Sequence, residues 1–199
     1  MARSKTRQHC TDNHRSQLRI IGGQWRSRKL AFTAAEGLRP TGDRMRETLF
    51  NWLAPTINGA NCADLFAGSG ALGLEALSRG AQYCDFVDSS ATVNSQINQH
   101  LATLEATSLA TCHTDTATGY LSRTRKALDI VFIDPPFNCG LVIPTCAQLQ
   151  ASQILAPEAL IYIETPATEA LTELPSGWDI HREKITGGVA CRLYATRVA

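Results

Sequence analysis

The chain has 199 residues, 44% of them apolar and 19% charged, with a net charge of +1 and seven cysteines. That is enough for one sizeable α/β domain with an extension. It excludes a membrane-spanning segment, because no apolar run approaches the roughly 18–20 residues needed, and the polar start holds no secretory signal. The cysteines (10, 62, 84, 112, 139, 146 and 191) are odd in number, scattered and without a Cys-x-x-Cys pair. They read as reduced thiols of a cytoplasmic protein, not as disulfides or a zinc site. Charge is unevenly placed: residues 1–50 carry an excess of seven positive charges and residues 51–199 an excess of six negative ones. A basic front on an acidic body points to contact with a polyanion.

Taken in order, residues 1–17 form a polar tail without periodicity, expected to be disordered. Residues 18–58 form an extension: a basic hairpin over Leu18–Phe32 around Gly22 and Gly23, then a helix from Thr41 or Asp43 towards Pro55. Met45, Leu49 and Trp52 share one face of that helix, while Asp43, Arg44, Arg46 and Glu47 form a charged face turned to water. Arg19, Trp25, Arg26, Arg28 and Lys29 join cations with an aromatic ring, a composition suited to nucleic acid.

Residues 59–199 read as the main domain, with no internal repeat. Cys62–Phe66 is a first core strand that runs into Gly68-x-Gly70-x-x-Gly73 and a helix ending at Gly80. Glycines there let the backbone approach a ligand and let the helix pack against the strand. The next strand, Tyr83–Val87, ends in Asp88, about 20 residues on, where a ribose-binding carboxylate belongs. Asp64, just before the glycines, suits a cation and would repel a phosphate. This favours S-adenosylmethionine over a dinucleotide. A helix over Thr92–Leu104 and a strand over Ala110–His113 follow, leading to Asp115, Thr116 and Ala117, where an adenine contact is expected. The histidines lack metal-ligand spacing, so no metal site is expected.

Ile130–Ile133 is an apolar strand that runs into Asp134, Pro135, Pro136 and Phe137. Proline forces the preceding residue out of the helical region, and two in succession make a stiff turn. Such a turn, at the carboxyl end of a strand, presents one carboxylate, carbonyls and a ring. It fits a flat molecule with an exocyclic amine: Asp134 and Pro135 accept its two N–H groups and Phe137 stacks on the ring. A helix over Val142–Leu149, a strand over Leu160–Glu164 and a hairpin of Trp178–Lys184 and Ala190–Thr196 complete the chain. The expected class is α/β: a mostly parallel seven-stranded sheet with a C-terminal antiparallel hairpin, plus the basic N-terminal hairpin and helix.

Together these motifs resemble the Rossmann-like class I S-adenosylmethionine-dependent methyltransferases that modify exocyclic amines. Within that class Arg19–Leu30, Leu38–Thr41, Asp43–Leu53, Asp64–Arg79 and His181–Lys184 resemble the RsmD family, over about residues 18–196. The resemblance implies methylation of the N2 amine of one guanine in 16S ribosomal RNA, within an assembled or nearly assembled small subunit, by a monomeric chain. It places Gly68, Ser69 and Gly70 along the methionine moiety, with Asp64 and Phe66 close by. Asp88 and Ser89 fall to the ribose, and Asp115, Thr116 and Ala117 to the adenine. Arg39, Pro40 and Thr41 would close over the cofactor, and Asp134, Pro135, Pro136 and Phe137 form the catalytic turn. Two other readings stay open. One is an N6-adenine methyltransferase using the same turn on another nucleic acid, and the other an RNA-binding assembly factor with weak catalysis.

Overall fold

The computed structural model describes residues 15–33 and 42–197. Strands β1 (Arg15–Arg19) and β2 (Lys29–Thr33) pair antiparallel, and helix α1 spans Asp43–Leu53. The main unit runs β3 (Asn61–Asp64), α2 (Ala71–Ser78), β4 (Tyr83–Asp88), α3 (Ala91–Thr103), β5 (Ala110–Thr114), α4 (Ala117–Arg123), β6 (Leu128–Ile133), α5 (Val142–Ser152), β7 (Leu155–Pro166), β8 (Trp178–Thr186) and β9 (Val189–Thr196). Seven strands form one sheet in the order β5-β4-β3-β6-β7-β9-β8. The first five are mutually parallel, and β9 enters antiparallel between β7 and β8. This is the expected architecture.

The central strand explains why the sheet is covered on both sides. In β6, Ile130, Val131, Phe132 and Ile133 are all buried, as an apolar run with no polar face requires. Ile130 and Phe132 pack with α2, α3 and the extension, and Val131 and Ile133 pack with α4 and α5. Leu18, Ile20, Trp25, Leu30 and Phe32 of the hairpin, and Leu49, Phe50 and Leu53 of α1, belong to the first of these cores. The extension therefore has no separate core; it is docked on one face of the sheet.

Several local expectations need correction. Strand β1 begins at Arg15, inside the segment expected to be a disordered tail, because Arg15–Arg19 pairs residue by residue with β2. The N-cap of α1 is Gly42, with no side-chain hydrogen bond, and Asp43 is the first helical residue. Asp43 instead accepts from Arg19 and Arg46 at 2.8 Å each. Thr41 lies outside the described residues. Arg46 is not on a solvated face: it is 1% exposed, because it donates both to Asp43 and to the carbonyl of Arg19 at 2.7 Å.

Glu75 of α2 fastens the hairpin. It is fully buried and accepts the N–H groups of Ile21 and Gly22, both at 2.8 Å, and Arg79 Nε at 2.7 Å. One helical turn on, Ser78 Oγ donates to the Gly22 carbonyl at 2.6 Å and accepts the Trp25 N–H at 3.0 Å. A Cβ at Gly23 would fall 1.8 Å from the Ser78 carbonyl oxygen, so only glycine lets the two backbones meet here.

Candidate active site

Strands β3 and β6 lie side by side at the middle of the sheet, and the chain leaves them towards opposite edges. Loops that diverge in this way open a crevice at the carboxyl ends of the strands, where α/β sheets bind ligands. Leu65 N–H donates to the Phe132 carbonyl at 3.1 Å, so the two strands stay joined up to the rim.

On the β3 side, Gly68 and Gly70 have φ of 50° and 77°, a region costly for other residues. Gly70 is the N-cap of α2. A Cβ at Gly73 would stand 2.2 Å from the Phe86 ring, so this glycine sets the close packing of α2 on β4. Asp64 is buried under the loop, and its Oδ2 accepts the Gly73 N–H at 3.0 Å. Burial pushes its carboxyl up to about 7, and the negative charge of Asp88 adds to this. The N–H groups of Gly73 and Phe66 pull the other way.

Asp88 ends β4 and is half-buried. Its Oδ2 accepts the Gly68 N–H at 3.1 Å and its Oδ1 the Ser90 N–H at 2.8 Å. Each carboxylate oxygen can accept a second bond, so capacity remains for a vicinal diol. Ser89 is exposed, and Ser90 caps α3. Asp115 N–H donates to the Asp88 carbonyl at 3.1 Å, which brings the β4 and β5 ends together. Thr116 caps α4, its hydroxyl accepting the Gly119 N–H at 3.0 Å. Asp115 pairs with Arg123, and Ala117 is buried.

On the β6 side Asp134 is half-buried, Pro135 buried, and Pro136 and Phe137 exposed, the Phe137 ring by 41%. A large apolar ring left in solvent beside a rigid turn is set to stack on a flat group. The residues Asp64, Phe66, Gly68, Ser69, Gly70, Asp88, Ser89, Asp115, Thr116 and Ala117 thus gather at the ends of β3, β4 and β5, next to the turn that ends β6. A buried carboxylate that favours a cation, a glycine cradle and a carboxylate with spare acceptors fit S-adenosylmethionine, whose ammonium and ribose diol match them. Arg39, Pro40 and Thr41 lie outside the described residues.

The basic hairpin divides. Arg26, Arg28 and Lys29 are exposed, and Arg19 is exposed while paired with Asp43. Trp25 is buried against α2 and so does not offer its ring to a nucleic acid in this conformation. Its expected contact role gives way to packing. Sequence reasoning also passed over Glu164, inside β7 two residues before its end. It is buried and accepts from Tyr162 Oη at 2.8 Å. The only signal for it was an acid ending an apolar run. Among the described residues no group of His, Cys, Asp and Glu could hold a metal ion, and no helix is long and apolar enough to cross a membrane.

Sheet order, glycine loop and the Asp134–Phe137 turn at the end of β6 define a class I S-adenosylmethionine-dependent methyltransferase. Comparison with known proteins narrows this. A family model described as "Conserved hypothetical protein 95" matches residues 18–195. The ribosomal RNA small subunit methyltransferase D of Escherichia coli K12 is 50% identical over 178 residues, covering 89% of each chain. Its counterpart from Haemophilus influenzae is 44% identical, covering 92% of this chain and 96% of that one. The solved structure of Escherichia coli yhhF superposes with a TM-score of 0.83 at 48% identity, covering 92% of this chain and all of that one. The chain belongs to the RsmD family of methyltransferases.

The buried acid yields a test. With its carboxyl at about 7 in the fold against 3.8 for the free side chain, Asp64 contributes stability that is present below about pH 4. That contribution is lost as pH rises through 7. A bound ammonium reverses the preference by favouring the carboxylate. Binding of S-adenosylmethionine is therefore expected to release about one proton near pH 6 and almost none above pH 8. Calorimetry in buffers of different ionisation enthalpy measures this. Asp64→Asn should remove the proton release, and release that persists in that variant excludes Asp64 as its source.

Proposed function

We propose that this chain methylates the N2 amine of a guanine in 16S ribosomal RNA, the position numbered 966. The substrate is the assembled or nearly assembled small subunit, and the chain acts as a cytoplasmic monomer. The observation that carries the reading is the half-buried Asp134, followed by Pro135 and an exposed Phe137, at the switch point beside the glycine loop. The names of the most similar relatives support the ribosomal RNA substrate.

The cofactor supplies an electrophilic methyl group on a sulfonium. The protein's task is to make a poor nucleophile attack it, because the guanine amine shares its lone pair with the ring. The Asp134 carboxylate and the Pro135 carbonyl each accept one amine N–H. Holding both hydrogens bends the nitrogen towards tetrahedral geometry and aims its lone pair at the methyl carbon. As the N–C bond forms and the S–C bond breaks, positive charge grows on the nitrogen and Asp134 stabilises it. The amine then gives one proton to the Asp134 carboxylate, which passes it on to water. Phe137 stacks on the base, which must leave the helical stack to reach the turn. Positioning supplies most of the acceleration, and no covalent enzyme intermediate is needed.

Labelled cofactor offered with small subunits from a strain lacking the enzyme, with free 16S RNA and with DNA tests this reading, once the modified nucleotide is mapped. Guanine N2 of the small subunit is the expected product. Adenine N6, or preferential labelling of DNA, would replace it. Arg26, Arg28 and Lys29, exposed on the hairpin, are assigned to the RNA backbone. Changing all three to alanine should weaken RNA binding and lower the slope of log affinity against log salt by about 2–3. An unchanged slope removes the hairpin from the interface.

A further inference from the structure

The hairpin, α1 and β8 are tied into one surface. Arg46 of α1 donates to the Arg19 carbonyl of the hairpin at 2.7 Å, and Lys184 Nζ of β8 donates to Thr48 Oγ1 of α1 at 2.9 Å. The strand register fixes where β8 stands on it. Glu164 of β7 is level with Cys191 of β9, and Cys191 with Lys184 of β8. Ile133 of β6 pairs with Ile163, one residue before Glu164, so Asp134 leaves the sheet in the row of Lys184. Three strand spacings, about 14 Å, separate the two. Arg182 pairs with Leu193, which is buried in the core beneath α1, so Arg182 stands on the face that carries Lys184 and α1.

Unpaired cations follow this surface. Among the described side chains, the arginines and lysines without a carboxylate partner are Arg26, Arg28 and Lys29 of the hairpin, Arg44 of α1, Arg182 and Lys184 of β8, and Arg125. Arg125 alone lies elsewhere, after α4 on the opposite face. The acids nearby are mostly spent: Asp43 on Arg19 and Arg46, and Glu183 on Arg192, which leaves exposed Glu47. Strand β8 belongs to the part of the chain with an excess of six negative charges, so composition does not account for its unpaired cations.

We infer that the RNA held by the hairpin continues across α1 to β8, where Arg44, Arg182 and Lys184 take phosphates, an assignment that rests on the RNA reading above. Arg44 and Arg182 are exposed. Lys184 gives one of its three N–H groups to Thr48 and keeps two. In the sheet, the glycine loop lies on one side of the catalytic turn and β8 on the other. Contacts on both flanks hold the strand across the rim, so that the target base turns out of the stack towards Asp134. Charge on an edge strand also discourages pairing with another sheet. Either sign serves that purpose, whereas a phosphate needs a cation.

The test is binding to small subunits from a strain lacking the enzyme, measured over a salt series. Arg44→Gln with Arg182→Gln should lower the slope of log affinity against log salt by about 1–2, and the loss of activity should fall on KM rather than kcat. Arg44→Lys with Arg182→Lys should keep the slope. Arg182→Glu, which guards the edge as well as arginine does, should weaken binding more than Arg182→Gln. Arg125→Gln should bind as wild type. In the wild-type chain, bound subunits should block phenylglyoxal labelling of Arg44 and Arg182 but not of Arg125, a readout that needs no variant to fold. An unchanged slope in the double glutamine variant, or Arg44 and Arg182 labelled as readily in the complex as alone, overturns the β8 contact and leaves guanine-N2 methylation standing. Protection without a change of slope assigns this flank to a ribosomal protein and likewise overturns the RNA contact. A wild-type chain that methylates no ribosomal RNA overturns both.

Discussion

Asp134→Ala is expected to lower kcat by about 10³-fold or more while the dissociation constant of S-adenosylmethionine stays within about threefold of wild type. The two halves of that result come from two sides of the crevice. The groups assigned to the cofactor end β3, β4 and β5, whereas Asp134 ends β6. Truncation leaves Pro135 and Pro136 in place, so the turn keeps its stiffness and Phe137 its position. On the proposed mechanism, what is lost is one of two acceptors for the amine and the one carboxylate of the Asp134–Phe137 turn. Without it the nitrogen relaxes towards the plane of the base and its lone pair returns to the ring. Single-turnover rates with saturating subunits and cofactor measure the chemical step directly. A variant within tenfold of wild type would show that the turn serves only to shape the loop.

The second large effect concerns stability. Glu75→Ala is expected to cost about 3–5 kcal/mol. The carboxylate is fully buried and accepts two consecutive backbone N–H groups and Arg79. Removing it strands those donors away from water. It also leaves buried Arg46 with Asp43 as its one remaining nearby carboxylate. Burial lowers the tendency of Arg46 to stay charged, and the charges of Glu75 and Asp43 are what offset this. Urea unfolding should show a lower midpoint. The double change Glu75→Leu with Arg79→Met should recover part of the loss, because replacing an ion pair by apolar side chains costs less than breaking it. A loss under 1 kcal/mol for Glu75→Ala would mean that the hairpin is held by its apolar contacts alone. RNA affinity should fall with stability in this variant, since the exposed Arg26, Arg28 and Lys29 ride on the segment that Glu75 holds.

Features set by local pattern were legible before any coordinates. The apolar run Ile130–Ile133, stopped by two prolines, could only be a central strand. The interval from Gly68 to Asp88 announced the β3–α2–β4 unit, and a hydrogen bond now joins those two residues. Features set by distant partners were not legible. Arg46 reads as a surface residue because, besides nearby Asp43, what holds it buried is distant in sequence: the charge of Glu75, 29 residues away, and the Arg19 carbonyl, 27 away. Trp25 among arginines reads as part of a nucleic-acid contact, and only the docking of the hairpin on the main domain shows that it is buried. Glu164 was hidden for a third reason: the apolar run stops at it, so in sequence it reads as a strand boundary, whereas β7 runs on to Pro166. Its placement beside Asp134 depends on the pairing of β6 with β7, which no single segment encodes.

The fastening of the extension also bears on the order in which the chain can fold during synthesis. The β1–β2 ribbon waits for Glu75 and Ser78, more than 50 positions downstream. Thr48 of α1 waits for Lys184, 136 positions downstream, whose Nζ donates to it at 2.9 Å. The cationic ribbon can thus be secured as soon as α2 has emerged, whereas α1 gains its tie to Lys184 only once β8 has followed.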